Sequence, residues 1–242
     1  MRIKVGFISI EDIILPVGFN KYIQALIYNL FSNSLRRFVH EEGFRSKRKF
    51  SLFCFSSILE KGQYFKRMKV FNFGKNISFY ISSPVTKLME NLVLNLLNGD
   101  KYFLGENDIY LSSVEVVYKE IAKDILKVNA LTPIEVHQTY KENGRNKTKY
   151  FAPFEREFSK LINLNLKSKW EAFYKENLDR DIEIISLGNM NKSVVYYGFG
   201  DKKYVVEGWK GKFLLKGEPS VLAFAYDAGL GSKNSQGFGF IE

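Results

Sequence analysis

The chain has 242 residues, 45% hydrophobic and 26% charged, which excludes a disordered polymer and suits one large domain or two small ones. Lys and Arg number 36 against 26 Asp and Glu, a net charge of +10, and this excess points to a polyanionic partner. A single cysteine, Cys54, excludes an intrachain disulfide, and two histidines without a cysteine cluster leave no zinc ligand set.

The chain opens with a strand over 1–10, whose Met1-Arg2-Ile3-Lys4-Val5 start alternates and does not read as a signal peptide. No apolar run is long enough to span a bilayer, so the expected compartment is the cytoplasm. A loop over 11–20 precedes a helix over 21–31 with Asn20 as its N-cap. Ile23, Leu26, Ile27, Leu30 and Phe31 form its apolar stripe; Lys21, Gln24 and Tyr28 fall on another face, so Tyr28 reads as exposed. A short helix over 34–41 ends at His40. Strands follow over 49–56, 63–73 and 76–82. Cys54 sits in the apolar run Leu52–Phe55 and reads as a small buried hydrophobe. Ser83-Pro84 opens a helix as cap and first turn, and Asn98-Gly99 closes it. A strand near 101–104 or 109–117 completes a strand–helix–strand–strand–helix–strand order.

The second half repeats that order, with strands over 109–118 and 131–137, a turn at Asn143-Gly144, and a long helix over 154–175. Strands over 181–187, 193–199 and 203–216, a helix over 219–228 and a short strand over 238–241 follow. The expected fold class is therefore α+β, with two tandem ferredoxin-like βαββαβ domains over 1–110 and 111–242.

The most specific stretch is Gly229-Leu230-Gly231-Ser232-Lys233-Asn234-Ser235-Gln236-Gly237-Phe238-Gly239. Glycines permit positive φ and close approach, and free amides in such a loop hold phosphate oxygens. It is neither a Walker loop nor a dinucleotide fingerprint, since the helix precedes it and no strand–loop–helix surrounds it. A tight turn packing between two half-domains is the plain alternative.

This run, with Ala228, resembles the C-terminal glycine-rich motif of the endoribonucleases that process CRISPR RNA, the sixth CRISPR-associated protein family of the repeat-associated RAMP superfamily. Trp209–Gly217 is similar to the strand and turn before that motif. Leu26-Ile27-Tyr28-Asn29, His40–Phe44 and Leu52-Phe53-Cys54-Phe55-Ser56 follow the family's order and spacing. The resemblance implies two tandem ferredoxin-like domains, Gly229, Gly231, Lys233, Asn234, Ser235, Gly237 and Gly239 as RNA-binding positions, and no cofactor. It also implies metal-independent cleavage of repeat RNA at one position, by attack of a 2′-hydroxyl, leaving a 2′,3′-cyclic phosphate and a 5′-hydroxyl. The implied partners are CRISPR repeat RNA and a CRISPR interference complex, with no membrane, and the protein is expected as a monomer or homodimer.

Such chemistry needs a base for the 2′-hydroxyl, an acid for the leaving oxygen and a donor beside the phosphorane. His40, just before Arg45-Ser46-Lys47-Arg48-Lys49, is the candidate acid–base group. Arg45, Lys47 and Arg48 are candidate phosphate contacts. Tyr28 matches the family's tyrosine, with a positioning role suited to its high ordinary pKa. The family's lysine is replaced by Ser51, and Lys49 is the nearest substitute, because residues two apart on a strand share a face. The replacement puts the transition-state stabiliser in doubt. His137 has no evident partner and reads as structural. Lys141, Arg145, Lys147 and Lys149 around the 143–144 turn could meet an RNA backbone but equally suit a solvated hairpin. The competing reading is a non-catalytic repeat-RNA-binding subunit of a CRISPR complex, against which His40 stands.

Overall fold

The computed structural model describes residues 1–197 and 204–242. Its first lobe runs β1 (Arg2–Ile8), β2 (Ile14–Pro16), α1 (Asn20–Leu30), α2 (Asn33–Arg37), a π-helical turn (Phe38–Glu42), β3 (Phe44–Arg45), β4 (Lys49–Phe50) and β5 (Cys54–Phe55). It continues with β6 (Gln63–Phe65), β7 (Val70–Asn72), β8 (Asn76–Ser82), α3 (Thr86–Asn98), β9 (Tyr102–Leu104) and β10 (Asn107–Val117). The main sheet has the antiparallel order β5-β8-β1-β10-β9. Without the short edge strand β9, this is the pairing of a ferredoxin-like βαββαβ unit.

Ile3, Val5 and Phe7 alternate onto one face of β1 and are buried with Phe79 and Ile81 of β8. Ile23 and Ile27 of α1, and Leu88, Leu92 and Leu96 of α3, close that core at helical spacing. β10 continues to Val117, so the first sheet crosses the division expected after residue 110.

The second lobe runs β11 (Ile125–Asn129), β12 (His137–Glu142), β13 (Arg145–Tyr150), α4 (Arg156–Tyr174), β14 (Glu183–Tyr197), β15 (Tyr204–Lys216), α5 (Pro219–Ala228) and a 3₁₀ turn (Asn234–Gln236). Its sheet order is β11-β15-β14. The segment 240–242 pairs along β11: Asn129 and Glu242 exchange backbone hydrogen bonds of 2.7 and 2.9 Å, and the Leu131 amide donates to Phe240 at 3.0 Å. A second βαββαβ unit results, with the β12–β13 hairpin inserted before α4. Leu126, Val128, Phe213, Leu215, Phe158, Ile162, Leu222 and Ala225 form its core. No described helix is long and apolar enough to cross a membrane.

Several expected elements take other forms. The strand over 63–73 is two strands joined by a tight turn in which Lys69 takes φ 55°. The strand over 49–56 breaks at 51–53, where Leu52 takes φ 49°. The strand expected over 109–118 as the first of the second half is β10 of the first lobe, and the second lobe starts with β11 instead; in place of the strand expected over 131–137, isolated bridges form around Pro133 at Ala130 and Ile134. The strands expected over 181–187 and 193–199 are one strand, β14, kinked by a register shift between Leu187 and Asn191. The ends of two expected strands, at 198–199 and 203, lie outside the described residues. The short strand over 238–241 is reduced to one bridge at Ile241. Asn20 is not a cap: it lies inside α1 and its amide donates to Gly237 O at 3.2 Å. Ser83 and Pro84 are likewise not the cap and first turn of α3, which starts at Thr86 with Val85 at its N-cap; Ser83 accepts the Val85 N–H at 3.0 Å and donates to Leu52 O at 2.6 Å.

The lobes meet through the open face of the first sheet. Arg2, 2% exposed, donates to Ile241 O at 2.8 Å and Tyr226 O at 2.7 Å, with its guanidinium over the rings of Tyr226 and Phe240. Tyr80 stacks on Phe240, Ser82 Oγ donates to Asp227 O at 2.9 Å, and the Cys54 thiol points at Phe238 O. Burial pushes that thiol up to about 12, so Cys54 is the inert core residue its sequence context suggests.

Candidate active site

Three elements bring the sequence candidates together. α1 presents Tyr28 half-buried rather than fully exposed: its ring packs edge-on against Phe53 at 5.4 Å and Phe31 at 6.3 Å. The π-helical turn then lifts His40 into solvent, 5.9 Å from the Tyr28 ring and edge-on to it. Gly43, at φ 59°, ends that turn and starts the β3–β4 hairpin that returns Lys49 towards it. Lys49 Nζ donates to the main-chain oxygen of His40 at 2.7 Å, which fixes a cation beside the histidine without engaging its ring.

Lys49 and Ser51 do not share a strand face as expected, because β4 stops at Phe50. Ser51 instead meets Tyr28, Oγ to Oη at 3.2 Å. Ser235 of the glycine-rich run lies near enough to that phenol to act on it. Burial raises the Tyr28 hydroxyl above its ordinary value, and the bond to Ser51 and the nearby Ser235 oppose this, so at neutral pH the group is a proton donor.

Beside this cluster lies an open cleft of about 370 Å³ between the lobes. From the first lobe Arg48, Lys49, Phe50 and Ser51 line it; from the second, Ser232, Lys233, Asn234 and Ser235 do. Lys47 and Arg45 are exposed on the hairpin, and Arg45 Nε donates to Glu42 O at 3.0 Å.

Part of the glycine-rich run is closed off as a free-amide cradle. The amides of Gly229, Gly237 and Gly239 donate to Ala225, Asn234 and Pro133 carbonyls at 2.9 to 3.0 Å. All four candidate glycines, 229, 231, 237 and 239, are buried. Asn234, 8% exposed, spends its amide on Leu230 O and Phe238 O and is the loop's internal staple. A Cβ on Gly229 would come to 2.8 Å of Cys54 Sγ, and one on Gly237 to 2.7 Å of Asn20 Nδ2 and of the Phe55 ring. Both have positive φ, so glycine is required here for contact with the first lobe. The groups left to face the cleft are the side chains of Ser232, Lys233 and Ser235.

Sequence reasoning missed two features. Lys169 of α4 is 3% exposed and donates to Gly229 O at 2.8 Å and Gly231 O at 3.0 Å. Burial pulls its ammonium down to about 7, with Cys54 acting slightly against this. It lies seven residues after Ile162 and three after Leu166, a lysine at a core position of an apolar stripe, which was the available signal. His137, read as unpartnered, has its Nδ1 against Oε1 of Glu135, two residues earlier and on the same face of an extended segment. Its ring lines the same cleft. The basic residues of the β12–β13 hairpin are solvated, and two are paired locally, Lys147 with Glu142 and Lys149 with Glu155.

Residues 114–242 match the family model for CRISPR associated protein Cas6, C-terminal, and residues 14–115 match that for CRISPR-associated protein Cas6, N-terminal. The chain is 24% identical over 246 residues to "CRISPR-associated endoribonuclease Cas6 1" of Methanocaldococcus jannaschii, covering all of this chain and 92% of that one. It is 28% identical over 231 residues to "CRISPR-associated endoribonuclease Cas6" of Pyrococcus furiosus, covering 94% of this chain and 83% of that one. A solved structure described as "An RAMP protein binding different RNA substrates" superposes with a TM-score of 0.82 at 18% identity, over 100% of this chain and 98% of that one. The last is a likeness of fold.

Proposed function

The chain belongs to the Cas6 family of CRISPR-associated proteins, and on that premise we propose that it binds CRISPR repeat RNA and cleaves precursor CRISPR RNA at one position. The observation that carries this reading is the clustering of Tyr28, His40 and Lys49 at the edge of a cationic inter-lobe cleft. The reaction is attack of a 2′-hydroxyl on the adjacent phosphorus, expelling the 5′-oxygen and leaving a 2′,3′-cyclic phosphate. His40 is exposed and carries a group suited to proton transfer near neutrality, so it takes or gives the proton. Tyr28, held protonated by burial, donates to a reacting oxygen and orients it. Lys49, tied to the His40 main chain, offsets charge on the phosphorane.

Ser51 supplies no charge, and this chain therefore leans on cations further from the Tyr28 hydroxyl. The reading assigns the chemistry to side chains alone. It places the protein in the cytoplasm as a monomer or homodimer that hands its product to a CRISPR interference complex.

The test is to incubate labelled repeat RNA with wild type and His40→Ala in EDTA and to analyse the product ends. One cut with a cyclic phosphate, lost in His40→Ala while binding persists, is the expected result. Tight binding with no cut by the wild type would overturn the enzyme reading and leave an RNA-binding subunit, the outcome that Ser51 favours.

A further inference from the structure

The second lobe contributes its own histidine to the cleft. His137 starts β12, and its Nδ1 meets Oε1 of Glu135. Glu135 is 0% exposed, and its other oxygen, Oε2, has no hydrogen-bond partner among the described residues. The Glu135 main-chain oxygen accepts the Ser232 amide at 2.8 Å, so the pair is fixed to the glycine-rich loop. The Tyr150 ring, 5.8 Å from the imidazole, packs beside it. The His137 side chain remains 29% exposed and lines the cleft with Arg48, Lys49, Lys169 and Lys233.

A carboxylate against Nδ1 fixes the proton on that nitrogen and leaves Nε2 to face outward. Burying a carboxylate completely is costly, and a hairpin residue that only filled space would not require it. The arrangement is that of an oriented proton-carrying ring, whose positive form a buried carboxylate complements. A second buried group waits in the same wall: Asn165, 8% exposed and lining the cleft, has an Oδ1 with no partner among the described residues. The cleft thus offers cations and an imidazole to an anion, and an acceptor to a neighbouring donor. A ribonucleotide unit carries both, a phosphate and a 2′-hydroxyl or base amine. A cleft of about 370 Å³ holds one such unit and little more.

We propose that His137 is a substrate-contacting residue, its doubly protonated ring donating Nε2–H to a phosphate oxygen of the RNA strand in the cleft while Nδ1–H donates to Glu135, the positioning residue that holds the ring. It supplies from the second lobe part of the phosphate contact that Ser51 does not make from the first. This rests on the RNA-processing reading of the same cleft.

The chain has two histidines, so a His40→Ala protein labelled with ¹⁵N-histidine shows His137 alone. It is titrated with repeat RNA carrying a 2′-deoxy substitution at the cleavage position. The expected result at saturation is a displaced Nε2 resonance at a protonated position, with Nδ1 protonated as well. In wild-type background, His137→Ala weakens binding of the same RNA about tenfold, the worth of one charge-assisted contact. It also lowers the salt slope by about 0.7, one single-strand phosphate. Glu135→Gln shifts the Nδ1 resonance and weakens binding in the same direction. An unmoved His137 spectrum at saturating RNA overturns the proposal, and the titration decides even if His137→Ala fails to fold. Cleavage by wild type with His137 silent would sink this contact alone; a displaced His137 without cleavage would sink the nuclease and keep the contact.

Discussion

Replacing Lys169 with methionine should remove a pH dependence of stability that the wild type carries. In the folded protein the ammonium is pulled down to about 7 by burial, from an ordinary value of 10.5. The group is a base with a lowered folded pKa, so its contribution is unfavourable. The penalty is complete below about pH 7 and fades as pH rises towards the unfolded value. Between these limits the unfolded chain binds more protons, so stability rises with pH by up to about 1.4 kcal/mol per pH unit. From pH 7 to pH 9 the gain is about 2 kcal/mol. The loop contacts survive deprotonation, because a neutral amine keeps two N–H groups for Gly229 O and Gly231 O. Methionine keeps most of the stem but leaves both carbonyls without that donor, at about 1–3 kcal/mol each. Lys169→Met should therefore be the less stable protein at pH 9, with the gap narrowing towards pH 7. The window stops at pH 9 because the buried Cys54 thiol, held up to about 12, works in the opposite sense above it. Urea unfolding of both proteins at pH 7, 8 and 9 measures the difference directly. Parallel pH profiles would refute the reasoning, since they would mean that Lys169 is not enclosed against the loop.

Three further outcomes follow from the same geometry. Tyr28→Phe removes the hydroxyl bonded to Ser51 and should slow single-turnover cleavage about 10²-fold, with RNA affinity unchanged; an unaltered rate would reduce Tyr28 to packing against Phe53. Gly229→Ala places a Cβ 2.8 Å from Cys54 Sγ and Asn234 Nδ2 at φ 77°. Strain of about 1–3 kcal/mol, before any displacement, should lower the melting temperature by several degrees in calorimetry, and an unchanged transition would contradict the loop's packing. Arg48→Ala and Lys233→Ala should each lower the salt slope of repeat-RNA binding by about 0.7 in fluorescence anisotropy, and a slope equal to wild type would remove that residue from the RNA path.

Where local chemistry decided the element, the sequence was readable. Pro219 in the first turn and Gly229 after the last bound α5 at the expected residues, and the apolar stripes of α1 and α3 are the buried faces. Elements failed where a residue without special preference took a special conformation. Lys69 and Leu52 have positive φ although neither is Gly, Asn or Asp, so the breaks they cause left no trace in the pattern. β11 did carry a signal, an alternating Ile125-Leu126-Lys127-Val128-Asn129, and its buried positions are the two even ones. The segment around Pro133 is more apolar and competes with it as a strand candidate. At the site, Tyr28 and His40 were found through resemblance, and the fold brings them together. Lys169 was hidden because its partners, two carbonyls some sixty residues later, have no signature of their own.

The strictest part of the sequence and the most reactive part of the molecule are therefore different things. The glycine-rich run is distinctive because the loop must pass close to Cys54, Asn20 and Phe55 of the other lobe, where a side chain would not fit. The Gly229, Gly237 and Gly239 amides are spent within the lobe, Asn234 ties two of the run's carbonyls, and Lys169 holds two more from behind. What this achieves is the seating of one ferredoxin-like unit against another, with Ser232, Lys233 and Ser235 left facing the cleft. The groups proposed to react, and Ser51 beside them, stand on less constrained ground: a π-helical turn for His40, a two-residue strand for Lys49, a broken strand for Ser51. A position on such ground can lose its lysine without disturbing the loop, provided that charge reaches the phosphate from elsewhere in the cleft. Arg48, Lys49, Lys233 and His137 line the same cavity as Ser51, from both lobes. On the proposed function, serine at residue 51 is accommodated because the site is built between two units rather than within one.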